Sequence, residues 1–345
     1  MQPQTSGPEG NKYRIVQACL VYGTFSFIVS IINKNIGVQY SQLNPLITVM
    51  TQCFTGTFMS ICMISLESTE SCRGIFKSTG IEVPNWSKVI SNINTGMKLG
   101  IVGIFPVATG GFALFHTSMP LYIAFRKCDI VTTIVLQYLW CGEQPQKRVL
   151  VSALLIIIGS VIAVFDSLNT NIVGLLCVWS YNAAASFQKV YLKAQSKKTN
   201  ITAFESNFYF CCMGSIVLAT YNFLITDNYV PLIELYKDPI FLKNAVLQSV
   251  FGHVFSISIA VATTTAGPIA LSITAVLKDG FLTYAGFILF EDSRVTALVL
   301  IGITFSFMGA LLCIYTKLSA PSRINTKTAM KVHMKDQALN KCSVK

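Results

Sequence analysis

Ten long apolar stretches constrain this chain more than any other feature. They run over about 13–33, 44–66, 98–116, 118–140, 148–166, 172–192, 204–226, 241–264, 267–290 and 295–317. Each approaches the roughly 20 residues that an α-helix needs to cross the hydrocarbon of a bilayer. Charged residues make up only 12% of the chain, about half the share of a soluble domain, which excludes an ordinary water-soluble enzyme. The expected fold is an all-α membrane protein with ten transmembrane helices. Pro106, Gly110–Gly111 and Pro120 lie inside spans, where a neighbouring helix or a wet cavity must satisfy the freed backbone groups.

Ten spans return both termini to one side of the membrane. With the N-terminus in the cytosol, eighteen of the 26 lysines and arginines fall in cytosolic loops and tails, while Lys34, Lys237, Lys243 and Arg294 face the other compartment. Cytosolic loops carry such an excess of positive charge, so the net charge of +11 reads as a topology signal. It does not read as a nucleic-acid footprint, because the basic residues are not interleaved with aromatics on one patch. The sequons at Asn85-Trp86-Ser87 and Asn200-Ile201-Thr202 fall in loops assigned to the cytosol, so both are expected to stay unglycosylated. Met1 to Asn11 is polar and shows no signal peptide. The C-terminal Lys345 makes prenylation unexpected, and the basic tail suits solvent beside an anionic leaflet. The eleven cysteines sit mostly in apolar runs with no CxxC pair, so they read as small hydrophobes. No cofactor and no metal are expected.

A shift of about 150 residues pairs Asp129 with Asp279, Thr133 with Thr283, Val149–Leu150 with Val299–Leu300 and Gly159 with Gly309. With two sets of five spans, this echo suggests two inverted five-helix repeats, because an odd number of spans turns the second copy over. Secondary transporters built this way place the substrate at the midplane between repeats. The chain divides into a cytosolic tail (1–12), a first repeat (13–168), a second repeat (169–318) and a basic cytosolic tail (319–345).

Arg126, Lys127, Lys189 and Lys278 lie inside predicted spans. Each costs about 2.5–3.5 kcal/mol near the centre of an inserted helix, a cost that partners or a wet cavity must offset. At helical spacing Arg126, Ile130, Thr133 and Gln137 share one face of the fourth span, and Asp129 is spaced to pair with Arg126. Thr274 and Lys278 share a face of the ninth span, with Asp279 next. Asn182, Ser186 and Lys189 stack on the sixth, although Lys189 is also close enough to the cytosolic end to snorkel. The seventh span carries Glu205 and Asn207; the first carries Ser26, Ser30 and Asn33. Fixed cations in a dry cavity suit phosphate or pyrophosphate, and amides and hydroxyls suit the polar edges of a base or sugar. The histidines His116, His253 and His333 are scattered and no HExxH occurs, so an enzyme is not expected.

These motifs, in this order, resemble the nucleotide-sugar transporters of the drug/metabolite transporter superfamily over about residues 13–318. Ser118-Met-Pro-Leu-Tyr-Ile-Ala-Phe-Arg-Lys127 is similar to that family's fourth-span P-x-[FY]-x-x-[LF]-R-R segment. Phe165-Asp-Ser-Leu-Asn-Thr-Asn-Ile-Val-Gly174 is similar to its turn between helices five and six. Val276-Leu-Lys278-Asp-Gly-Phe-Leu-Thr-Tyr-Ala-Gly286 resembles its ninth-span x-x-K-[ND] motif, and Asn33-Lys34 its first-span N-K end. The resemblance implies an antiporter of the Golgi or endoplasmic reticulum membrane that exchanges a nucleotide sugar for a nucleoside monophosphate without ATP hydrolysis, and it leaves room for a homodimer. It implies that Lys278 contacts the diphosphate with help from Arg126, that Asn207 reads the nucleotide, and that Thr274 lines the site; Lys127, Asp279, Thr133 and Asn33 complete the candidate set. Thr274-Ala-Val-Leu-Lys278 and Glu205-Ser-Asn207-Phe depart from the G-A-L-N-K and F-Y-N-N of GDP-mannose carriers, which favours UDP-sugars. A GDP-sugar carrier and an organic-phosphate exchanger are the alternatives.

Overall fold

The structure, a computed structural model, describes residues 8–40, 45–67, 82–116, 122, 125–142, 144–165, 172–225, 234–289 and 297–319. The basic tail, the loop carrying Arg73 and Lys77, and most of the 118–124 motif lie outside the described residues. The described residues are helical, with no strand among them. The helices are α1 (Pro8–Gln39), α2 (Pro45–Glu67), α3 (Trp86–Ser91), α4 (Ile93–His116), α5 (Asp129–Cys141), α6 (Lys147–Val164), α7 (Ile172–Thr199), α8 (Ala203–Thr220), α9 (Pro239–Thr265), α10 (Pro268–Leu289) and α11 (Ala297–Ser319). The chain continues from α8 as one π-helical turn, Tyr221–Ile225. A helix therefore lies on each expected apolar stretch. Tyr13–Asn33, Leu46–Glu67 and Pro239–Thr265 are each long and apolar enough to cross a membrane by length and composition, and Asp129–Cys141 and Leu300–Thr316 are shorter apolar helices. The first helix differs from expectation: it runs about one and a half turns past Asn33–Lys34, to Gln39.

The outer surface is apolar. Leu20, Phe58, Phe105, Leu139, Leu154 and Leu176 are each 60% or more exposed, while Ser60, Thr133, Asn182, Ser186, Glu205 and Gln248 are buried. Lipid, not water, is the solvent that favours this distribution, since soluble monomers rarely expose large contiguous apolar patches. Small residues bring the helices together, as membrane helix packing requires. A Cβ at Gly159 of α6 would stand 2.5 Å from the Gly302 carbonyl oxygen and from the Ser306 backbone nitrogen of α11. A Cβ at Gly309 of α11 would stand 2.9 Å from the Ser152 carbonyl oxygen and 3.0 Å from the Ile156 nitrogen of α6. Beside this contact, Ile130, Ile156, Ile273, Ala310 and Cys313 form an apolar core that joins α5, α6, α10 and α11.

The packing pairs recur. α1 packs along α9 and α4 along α7; α4 packs on α8 and α2 on α9; α5 packs on α7 and α1 on α10. α2–α8, α5–α10 and α6–α11 pack as well, as do α10–α11, α8–α9 and α9–α10.

Polar side chains tie each end. Where α1 ends and α9 begins, Tyr40 donates to the Asp238 carboxylate, Tyr236 and Thr51 share a hydrogen bond of 2.7 Å, and Asn244 donates to Gln39 over 3.2 Å. The bond from Tyr40, with that from the Ile240 amide, holds the Asp238 carboxyl below its ordinary range. At the opposite end Thr202 and Glu205 form a reciprocal capping box at the start of α8, and Asn92 donates to Glu205 over 2.8 Å. Glu205 thus anchors α8 to the start of α4. Glu205→Ala would remove the cap and leave the half-buried Asn92 amide short of an acceptor, and is expected to destabilise the protein by about 2 kcal/mol. Thermal unfolding in detergent measures it; an unchanged transition would refute the anchoring role.

Candidate functional site

The fourth span is not one continuous helix. Residues 127 and 128 form a turn, with i→i−3 bonds from Cys128 to Phe125 and from Ile130 to Lys127, and α5 proper starts at Asp129. Asp129 does not pair with Arg126: its carboxylate accepts from Ser186 (2.7 Å), from Ser272 (2.8 Å) and from Lys189. The i,i+3 spacing did not decide the pairing, because groups on α7 and α10 take the carboxylate. Lys189 does not snorkel either; it pairs with Asp129 and donates to Ser272 over 2.7 Å. Thr133 is fully buried beside this network, 3.0 Å from the Ser186 hydroxyl and 3.4 Å from that of Ser272. Asn182 donates to the Phe125 carbonyl over 2.8 Å, which occupies a backbone acceptor near the break.

α10 supplies the second half of the site. Gly267, at φ 92°, makes the turn out of α9, a conformation that favours glycine, and Pro268 opens α10 with its fixed φ. Ten residues on, Lys278 pairs with Asp279 at 2.5 Å, both side chains being 10% exposed or less. Arg126 and Lys127 stand within electrostatic reach of Asp279. Lys127 is 7% exposed. The Arg126 guanidinium lies 5.8 Å from the centre of the Tyr181 ring, which in turn lies 5.8 Å from that of Tyr122. Tyr22 of α1 is also within electrostatic reach of Arg126.

Lys278, Asp279, Arg126 and Lys127 therefore come together, and Thr133 joins them through the Asp129 network. Four cations face two carboxylates, an excess of two positive charges among the described residues. Buried charge of one sign calls for a counter-charge, and a dianion supplies it. Thr274 lies one turn before Lys278; its hydroxyl is bonded to the Ala270 carbonyl (2.9 Å) and its methyl faces Gly23 of α1. Asn207 is buried on α8, its amide 3.4 Å from His253 Nδ1 of α9, in a separate polar group. There Gln248 donates to Gln52 over 3.2 Å, while Gln248 Oε1, Ser249 Oγ and His253 Nε2 make no hydrogen bond. Asn33 is exposed on α1, away from the buried Ser26.

Sequence reasoning missed Tyr22, Tyr122, Tyr181, Ser272 and His253. Ser272 carried a usable signal, since it stands two helical turns before Asp279 and shares its face. Tyr122 also carried one, as the aromatic position of the 118–127 motif; Tyr22 and Tyr181 carried none, because aromatics are common throughout membrane spans.

The chain is 25% identical over 305 residues to the UDP-sugar transporter UST74c of Drosophila melanogaster, covering 87% of this chain and 77% of that one. It is 22% identical to the nucleotide sugar transporter SLC35D2 of Mus musculus, covering 95% and 96% respectively. A crystal structure 12% identical in sequence superposes with a TM-score of 0.62 over 90% of this chain and 99% of its own, a likeness of fold. Residues 13–315 match the Triose-phosphate Transporter family, and the chain belongs to it.

Proposed function

We propose that this protein is an alternating-access antiporter that imports a UDP-sugar into the Golgi or endoplasmic reticulum lumen in exchange for UMP. The observation that carries this reading is the gathering of Arg126, Lys127 and Lys278 around the single carboxylate of Asp279. That excess of buried positive charge suits a diphosphate, which accepts charge-assisted hydrogen bonds from several donors at once. The Tyr181 and Tyr122 rings beside Arg126 offer faces on which a base or sugar could rest. The unused polar atoms of Gln248, Ser249 and His253, near Asn207, suit the polar edges of a nucleoside, because leaving them unpaired costs about 1–3 kcal/mol each. The relatives named as UDP-sugar and nucleotide sugar transporters support the substrate class.

The ten helices are read as two inverted repeats, with α1, α2, α4, α5 and α6 corresponding to α7, α8, α9, α10 and α11. Exchanging labels turns α1–α9 into α7–α4, α4–α8 into α9–α2, and α5–α7 into α10–α1, and each is an observed pair. Gly159 meets residues 302 and 306; Gly309 meets 152 and 156, the same positions less 150. A two-fold axis produces such reciprocal contact. The charge bias of the loops supports a reading with both termini in the cytosol. The repeats rock about the cation site, which faces each compartment in turn.

An organic-phosphate exchanger is the second reading, favoured by the family's own description; it would use the same cations and leave the aromatic faces idle. Counterflow decides between them, using proteoliposomes preloaded with UMP, GMP, CMP or inorganic phosphate and labelled UDP-sugars outside. Uptake driven by UMP is the expected result. Exchange driven by phosphate or triose phosphate alone would overturn it, and exchange driven by GMP alone would move the assignment to GDP-sugars.

A further inference from the structure

The Asp129 carboxylate draws its partners from two other helices rather than from its own. One oxygen accepts from Ser186 of α7; the other accepts from Lys189 of α7 and from Ser272 of α10. Lys189 closes the ring by donating to Ser272, and Thr132 and Thr133 meet Ser186 at 2.5 and 3.0 Å. Three helices are thus joined at one point, α5 from the first half and α7 and α10 from the second. Ser272 lies six residues before Lys278, about 9 Å along the helix axis at 1.5 Å per residue, toward the end of the bundle where α1 and α10 begin. The network therefore stands between the cation cluster and that end. The opposite end is tied by other groups on other helices, through Tyr40–Asp238, Thr51–Tyr236 and Gln39–Asn244.

Resting on the alternating-access reading above, we propose that Asp129 is a positioning residue for transport: its bonds to Ser186, Lys189 and Ser272 hold α5 against α7 and α10 on the cytosolic side of the cation site, and they must open for the site to face the cytosol. A buried ion pair suits such a role, because its net contribution to stability is small when intact and its loss is costly. Two packed arrangements then differ by little and can exchange. Asp279, the residue that the 150-residue shift pairs with Asp129, stands beyond the network beside Arg126 and Lys127.

The test uses the full chain in lipid with Asp129→Asn and, as a milder variant, Ser272→Ala. Hydrogen–deuterium exchange is expected to rise in segments 129–141 and 268–275 and to stay unchanged in 234–245. In proteoliposomes, Asp129→Asn is expected to lower the KM for UMP several-fold on the cytosolic side and raise it on the lumenal side, with Ser272→Ala moving the same way by less. Unchanged protection of both cytosolic segments in both variants would overturn the proposal. So would a rise spread over all three segments, the signature of a merely structural bond. If the unsubstituted protein exchanges no nucleotide, the antiport reading fails, and deuterium uptake still decides the tie.

Discussion

Lys278→Ala is expected to reduce nucleotide exchange about a hundredfold. Truncating one member of a desolvated charge pair costs about 2–5 kcal/mol, and each 1.4 kcal/mol is tenfold in affinity. Lys278 is 6% exposed and pairs with Asp279 at 2.5 Å. Removing it halves the positive excess of the cluster and leaves Asp279 to draw on Arg126 and Lys127, the two remaining cations that could meet a phosphate. The loss is expected in kcat/KM for every nucleotide tested, because the phosphates are common to all of them. Lys278→Arg keeps the charge and is expected to retain part of the activity. The reading fails if Lys278→Ala is folded, as judged by its thermal transition, and exchanges at the normal rate.

Gly159→Leu carries the second large effect, on stability. Its Cβ alone would press on backbone atoms of α11 at 2.5 Å, and backbone cannot swing aside as a side chain does. Overpacking usually costs 1–3 kcal/mol, and a rigid backbone neighbour places this site at about 3 kcal/mol or above. Gly309→Leu is expected to behave alike, because its Cβ meets the corresponding backbone of α6 at 2.9–3.0 Å. Thermal melts of both variants provide the measurement. Severe loss in one with tolerance in the other would contradict the reciprocal packing of α6 and α11.

Much of the fold was legible because a bilayer demands long apolar helices, and the ten stretches declare themselves by length. The buried cations were legible for the converse reason: charge inside a span is costly enough to stand out. Lys278, Asp279, Arg126 and Lys127 do converge. What could not be read was who partners whom. Asp129 reads as a neighbour of Arg126 by spacing, but groups on α7 and α10 take its carboxylate, and the turn at Lys127–Cys128 was not marked by glycine or proline. Lys189 reads as a snorkelling residue only until α10 supplies Ser272 across space. Glu205 looked like part of a polar transport face, although Thr202 three residues earlier already carried the capping-box pattern. Asn33 illustrates the limit of a motif: its helix continues to Gln39 and leaves it outward.

The two ion pairs near the cation cluster differ in how they are attached. Lys278 and Asp279 are covalent neighbours on α10, so they travel together through any rigid movement of that helix. Asp129 and Lys189 belong to different helices, so relative motion of α5 and α7 must stretch their bond. On the alternating-access reading proposed above, opening between α5 and α7 would have to stretch the Asp129–Lys189 bond, so the temperature dependence of turnover is expected to respond to substitution of that pair.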